Sequence, residues 1–331
     1  MAFLEIRDNY MERYRYIDIA KGIGIFCVVA SHTYPVLSNW SNPFFVPLFF
    51  VLSGICTIKP VSIQKKAKSL LIPYFVFSFL LFVLSRRYTL LVFGGIFYSR
   101  FCLLPVNSID NVYFMTMWNS PLWFLTCMFV AFLLFIPFQK INNRSYRILL
   151  AIGYIILTRL FENLPILLPW SIDTAFLMAF FIYIGTIIKE KEILRKIPIW
   201  AIIAMLGLYV LLFIYCGRTN ISVREYGQSL WLMIPAALIG SLLVVKVSDW
   251  ITSFRLSSIL EEIGKYSLFI FCLHMPVITL FIKGCSLLSI DSDGLASGIA
   301  KTIISIMVPY LIAKGWVRRK YLLLRLRGNK I

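Results

Sequence analysis

The chain has 331 residues, 60% of them hydrophobic and only 15% charged, with a formal net charge of +18. A soluble domain is nearer half apolar and a quarter charged, so the composition excludes an ordinary globular protein. The apolar residues fall in blocks of about 20 rather than in short alternating strands, which excludes an outer-membrane barrel and specifies an all-α, polytopic membrane protein of about ten transmembrane helices.

Residues 1–15 are charged and lack a cleavable-signal pattern. The first expected span covers 16–34, and the second, 44–58, carries Pro47 and Gly54. A basic loop leads to a third span at 69–85. Residues 86–119 open with Arg86-Arg87 and are apolar only over 89–98. A run that short reads as a re-entrant or interfacial helix. Further spans are expected at 120–138, 148–160, 172–188, 197–215, 229–247, 266–284 and 296–313, with an amphipathic segment at 248–265. No polar segment is long enough to fold alone, so residues 1–331 read as a single membrane domain with no appended soluble domain.

Ten spans put both termini on one side, and charge chooses the side. The loops on the side of the N-terminus hold 25 of the 33 lysines and arginines, against 8 on the other. Cytoplasmic loops carry the Lys/Arg excess, so the orientation is N-in and C-in. The basic charge is thereby explained by topology, with the lipid bilayer and not nucleic acid as the partner. Seven scattered cysteines, without a CxxC or a Cys/His cluster, indicate neither a metal site nor a disulfide framework.

The first span is apolar enough to cross a bilayer, yet it carries Asp18, Lys21 and His32. Ionisable groups in spans are costly and by default functional. Lys21 and His32 are eleven residues apart. At about 100° per residue that is three turns plus roughly 20°, so they share one face, separated by roughly 16 Å along the axis. Asp18 lies about 40° from His32 on the same side. Histidine is the side chain best suited to move a proton near neutral pH, although a membrane histidine can also simply bond a neighbouring helix. Lys21 and Asp18 form an i, i+3 pair: either a structural ion pair near the interface or a cation poised for a phosphate. His274, the only other histidine, has no comparable partner nearby in the sequence, and reads as a helix-bonding residue or a second pocket residue. Ser53-Gly54 can bend the second span, admit a ligand to the backbone, or let helices pack closely. Trp123 is either an aromatic-belt anchor or part of a pocket. Tyr34, Trp40, Tyr113, Trp118 and Trp170 mark outer segments that could stack on sugar rings or sit at the membrane interface.

Asp18-Ile19-Ala20-Lys21-Gly22 followed by His32 resembles the opening motif of the acyltransferase-3 family of integral membrane acyltransferases. Pro47-Leu48-Phe49-Phe50-Val51-Leu52-Ser53-Gly54 is similar to its second-span signature, and Leu122-Trp123-Phe124-Leu125 to its Trp segment. Gly264-Lys265-Tyr266-Ser267-Leu268 through Leu273-His274 resembles its late G-x-x-S…H segment. The four come in family order over essentially the whole chain. The family's basic residue eleven before the histidine is usually Arg; the D-x-x-K-G form found here resembles the fucose 4-O-acetyltransferase-like branch. The resemblance implies transfer of an acyl group, usually acetyl, from cytoplasmic acyl-CoA to a sugar hydroxyl of a cell-envelope polysaccharide or its lipid-linked precursor, in a bacterial cytoplasmic (inner) membrane. Acetyl-CoA would be a co-substrate, with no bound cofactor. Under this expectation His32 is the catalytic base, Lys21 and Asp18 serve the donor, and Ser53, Trp123 and His274 are possible pocket residues. The rival reading from the residues is a transporter or flippase of lipid-linked sugars, but no halves of similar hydropathy or paired broken helices support it.

Overall fold

The computed structural model describes residues 15–105, 109–115 and 117–328. The charged stretch ahead of Arg15, the side chain of Trp118 and the basic side chains from Lys320 onward lie outside the described residues. The described chain is helical, with no strand among the described residues beyond two isolated bridges. We number the principal helices α1 (Arg15–Thr33), α2 (Phe45–Ile55), α3 (Ile63–Ser85), α4 (Leu90–Tyr98), α5 (Trp123–Lys140), α6 (Arg144–Glu162), α7 (Ile172–Glu190), α8 (Ile199–Cys216), α9 (Leu230–Trp250), α10 (Ser257–Lys265), α11 (Ser267–Leu287) and α12 (Leu295–Gly328).

Among the described residues, six helices are long and apolar enough to cross a membrane: Ile63–Ser85, Ser120–Lys140, Pro169–Glu190, Leu230–Ser253, Ser267–Leu287 and Leu295–Arg319. Four other stretches read as spans in the sequence are helices that miss this combination of length and hydropathy. The apolar helices α2, of 11 residues, and Trp200–Cys216 are short. α1 and α6 reach 19 residues but include more charged and polar side chains.

Local chemistry sets several boundaries. The Ser62 hydroxyl accepts from the Lys65 amide at 3.4 Å to open α3, and Thr89 accepts from Val92 at 3.2 Å to open α4. α4 stops after nine residues at Ser99, whose φ of +58° is left-handed. It folds back on its neighbours: Tyr74 donates to the Ile96 carbonyl at 2.5 Å, and the Ser99 and Thr126 hydroxyls are 2.6 Å apart.

α1 lies among α2, α9, α10, α11 and α12, while α7 packs on α2 and α5. Between helices in lipid the hydrophobic effect gives little, so association depends on close van der Waals fit through small residues. Glycine supplies that fit at two crossings. Gly54 on α2 meets Gly185 on α7, and a Cβ on either would overlap the other helix's backbone. Gly22 and Gly264 do the same for α1 and α10: a Cβ on Gly264 would overlap the Asp18 carbonyl, and one on Gly22 the Leu260 carbonyl. Gly54 therefore serves close helix packing, one of the three roles open to Ser53-Gly54 in the sequence.

Arg100 and Arg224, which look like loop charges in the sequence, and Asp173, at the start of an expected span, are buried together at 0%, 3% and 0% exposure. Asp173 pairs with Arg100 and, at 3.4 Å, with Arg224. Arg100 also donates to the Leu168 carbonyl, and Arg224 to the carbonyls of Phe161, Leu164 and Ile166. One carboxylate thus ties three connecting segments together across the end of the bundle opposite the start of α1.

Candidate functional site

The face of α1 holding Lys21, Ile25, Val28 and His32 repeats at intervals of three and four residues, so it forms a stripe along the helix. Its two ends meet different surroundings. At the Lys21 end lies a cavity of about 340 Å³. α1 contributes Lys21 and Ile25 to it, α2 contributes Phe49 and Ser53, Cys56 follows at the end of α2, and α3 contributes Lys66. Phe124 and Met128 come from α5, and Lys265 and Phe271 from the α10–α11 corner. Three lysines from three helices therefore border one space.

The lysines differ in how their charge is matched. Lys21 lies 3.4 Å from the Asp18 carboxylate, which is 1% exposed. Lys265 bonds Glu261 at 2.7 Å and lies 3.7 Å from Glu262. Lys66 has no carboxylate partner among the described residues; its ammonium sits over the Phe132 ring at 3.5 Å from the centroid. The sequence does not single out Lys66 or Lys265. The loop charge around them is visible there, but only the helix packing aims these two into the cavity.

α10 is the support for this end of the site. Arg15 bonds Glu261 at 2.6 Å, and Lys314 bonds Glu262 at 3.2 Å, so α10 is tied to both α1 and α12. The hydrogen bond from Lys265, reinforced by Arg15 against the opposing effect of partial burial, holds the Glu261 carboxyl below its usual range. The glycine crossing at Gly22 and Gly264 then fixes how far Lys265 stands from Lys21.

At the other end of the stripe His32 meets His274, with ring centroids 5.4 Å apart and planes inclined by 34°. The two histidines of the chain, separated by more than 240 residues, thus form one pair. His274 is fully buried, and its Nδ1 donates to the carbonyls of Phe271 at 2.7 Å and Ile270 at 3.2 Å. A carbonyl only accepts, so Nδ1 carries the proton and Nε2 presents a lone pair. That Nε2 has no hydrogen-bond partner among the described residues. His32 has an exposed side chain and no hydrogen bond to another described residue. The neighbouring Thr33 hydroxyl bonds that of Thr302 at 2.6 Å, anchoring the end of α1 to α12. Among the described residues no three His, Cys, Asp or Glu side chains come together as a metal site would require.

Two sequence candidates take other positions. Ser53 lines the cavity, with its hydroxyl toward the Met128 sulfur at 3.9 Å. Trp123 is 7% exposed at the start of α5 and packs in the core, against Phe124, whose own ring lines the cavity. The outer tryptophans Trp40 and Trp170 have their indole N–H groups committed to the Leu37 and Phe97 carbonyls at 2.9 and 2.7 Å.

The family model for an acyltransferase domain, that of the acyltransferase-3 family, matches residues 14–314. That range contains every residue of the cavity and both histidines. No curated protein and no solved structure matches the chain.

Proposed function

The chain belongs to the acyltransferase-3 family, and on that premise we propose that this membrane acyltransferase moves an acetyl group from acetyl-CoA to a sugar hydroxyl of a cell-envelope polysaccharide or its lipid-linked precursor. The observation that carries the reading is the α1 stripe, with a lysine-bordered cavity at one end and a histidine pair at the other. The D-x-x-K-G form of the opening motif supports a place in the fucose 4-O-acetyltransferase-like branch.

In this reading α1, α2, α3, α5 to α9, α11 and α12 are the ten spans, in one membrane domain of a bacterial inner membrane. The loops beside Lys21, Lys66 and Lys265 then face the cytoplasm, in keeping with the 25 to 8 division of basic residues. Acyl-CoA is confined to that side by its charged nucleotide. Its phosphates dock at the lysines, with Lys66 offering the least neutralised charge. Its pantetheine arm runs along the stripe, whose length of roughly 16 Å suits an extended chain of that size.

His32 acts as the general base. It takes the proton of the sugar hydroxyl as the oxygen attacks the thioester carbonyl, forming a C–O bond and a tetrahedral oxyanion. Collapse breaks the C–S bond, and the departing thiolate recovers the proton from the His32 imidazolium. His274 is a positioning residue: its ring, fixed by the Nδ1 bonds to its own helix, packs beside His32 and limits how the His32 imidazole can turn.

The test is transfer of radiolabelled acetyl from acetyl-CoA into the glycan fraction of membranes from the native host, comparing wild type, His32→Ala and Lys66→Gln at equal abundance. Loss of a general base lowers kcat by about 10²–10⁴-fold. Lys66→Gln is expected to raise KM for the donor with a smaller change in kcat. Label incorporated equally by the His32 variant would remove the catalytic assignment, and no label from any sample would remove acetyl transfer.

A further inference from the structure

The connection from α9 to α11, residues 251–266, lies at the same end of the bundle as Lys21: Lys265 borders the cavity with Lys21, and Glu261 bonds Arg15 at the start of α1. Its charges, Arg255, Glu261, Glu262 and Lys265, keep it out of the hydrocarbon. Yet Trp250, Phe254, Leu256 and Ile259, at its start, are each more than half exposed. The Trp250 ring, in the last turn of α9, and the Phe254 ring have centroids 6.2 Å apart, so the two form one patch. On α10, Ile259 lies about 140° around the helix from Gly264, the residue that touches α1. The face that packs on the bundle and the face that carries the exposed apolar side chains are therefore different.

The charge left over on this surface is of one sign. Glu261 is met by Arg15 and Lys265, Glu262 by Lys265 and Lys314, and Asp249 by Lys246 at 4.0 Å. Arg255, set among the exposed apolar residues, is itself exposed and has no carboxylate partner among the described residues. α12, tied to α10 by the Lys314–Glu262 pair, repeats the pattern just past that contact. Trp316, Arg318 and Arg319 are exposed there, and neither arginine has a carboxylate partner among the described residues. Facing water, such a patch would hold apolar area in solvent and leave its cations unmatched. Facing the boundary between acyl chains and anionic headgroups, both are matched at once.

We propose that residues 250–259 form an interfacial anchor for anionic phospholipid, with Trp250, Phe254, Leu256 and Ile259 set into the acyl boundary and Arg255 on the headgroup phosphate. The reading given above makes the Lys21 end cytoplasmic and this leaflet the inner one; the anchor itself depends on neither donor nor acceptor. Because α10 also carries Lys265 to the cavity, the anchor holds the supporting helix of that cavity against the bilayer on one face while Gly264 holds it against α1 on the other.

The experiment places the full-length protein in nanodiscs of phosphatidylcholine with a small, fixed fraction of phosphatidylglycerol. Brominated acyl chains, which quench tryptophan on contact, are carried either by the phosphatidylglycerol or by an equal amount of the phosphatidylcholine. The Trp250 emission is the difference between wild type and Trp250→Phe. Brominated phosphatidylglycerol is expected to quench it several-fold more effectively, since one arginine at an anionic surface is worth about fivefold in binding. Arg255→Gln should bring the two lipids to near equality with both still quenching, Arg255→Lys should keep the preference, and high salt should narrow it. Equal quenching by the two lipids in wild type overturns the proposal. So does an absence of quenching by either, which would mean that the patch is covered by something other than lipid. A preference that survives Arg255→Gln overturns the role given to Arg255. Acyl-CoA takes no part in the assay, so a failure of the donor reading would leave its result unchanged.

Discussion

Replacing Asp173 by alanine is expected to destabilise the protein severely. The carboxylate is fully buried, and it accepts from Arg100, from the Leu168 amide at 3.0 Å and from the Thr174 amide at 2.9 Å, with Arg224 at 3.4 Å. Its loss leaves two buried guanidinium groups close to each other, without the carboxylate between them. Breaking a buried ion pair by deleting one partner costs about 3–5 kcal/mol, chiefly because the remaining charge stays desolvated. At about 4 kcal/mol, the ratio of folded to unfolded protein falls close to a thousandfold. Asp173→Asn keeps an acceptor oxygen but not the charge, and should fall between the two. Replacing the whole cluster together, Arg100→Met and Arg224→Met with Asp173→Leu, should recover more than half of the loss, since volume-matched apolar residues often substitute for buried ion-pair clusters. Unfolding by sodium dodecyl sulfate in mixed micelles, followed by tryptophan fluorescence, measures all four proteins. A single Asp173→Ala variant within about 0.5 kcal/mol of wild type, the range of an ordinary surface change, would refute the reasoning.

Two further outcomes follow from the packing around the cavity. Gly264→Ala should weaken acyl-CoA affinity, because its Cβ would overlap the Asp18 carbonyl and push α10, with Lys265, away from α1; Gly284→Ala, with open space around it, serves as the neutral control in the same titration. Cys56 is exposed in the cavity while the other six cysteines are buried. A thiol reagent supplied to inside-out vesicles should therefore modify one site per chain at Cys56, with CoA protecting it, and modification that CoA leaves unaffected would argue against the cavity as the donor site.

Much of α1 is legible in the sequence. A helical stripe obeys a fixed angular period, so the spacing of Lys21 and His32 alone places them on one face. The pairing of His32 with His274 is not legible there, since no local rule links residues so far apart in the chain. Arg100, Arg224 and Asp173 are the reverse case. In sequence Arg100 and Arg224 are charges beside apolar runs and enter the topology argument as loop residues, while Asp173 sits at the edge of an expected span. Their burial depends on three connecting segments meeting at one point, which periodicity does not encode. Gly22 and Gly264 lie in plain view inside the motifs, but their role appears only when the two helices cross. The span count is harder to read at α2 and α8, where short apolar helices give weak length signals.

The meeting of Lys21 with Lys265, and of His32 with His274, also has a consequence for biosynthesis. Each pair joins residues more than 240 positions apart. At 5–20 residues per second, a ribosome needs about 10–50 s to connect the first helix with the last of its partners. Throughout that interval α1 waits in the membrane with its polar stripe uncovered, and no part of the growing chain holds both halves of either pair. A nascent or truncated polypeptide therefore has neither a finished cavity nor a histidine pair. If the cavity and the histidine pair carry the reaction, activity is expected only when insertion is nearly complete, and a chain that ends before α11 should show none.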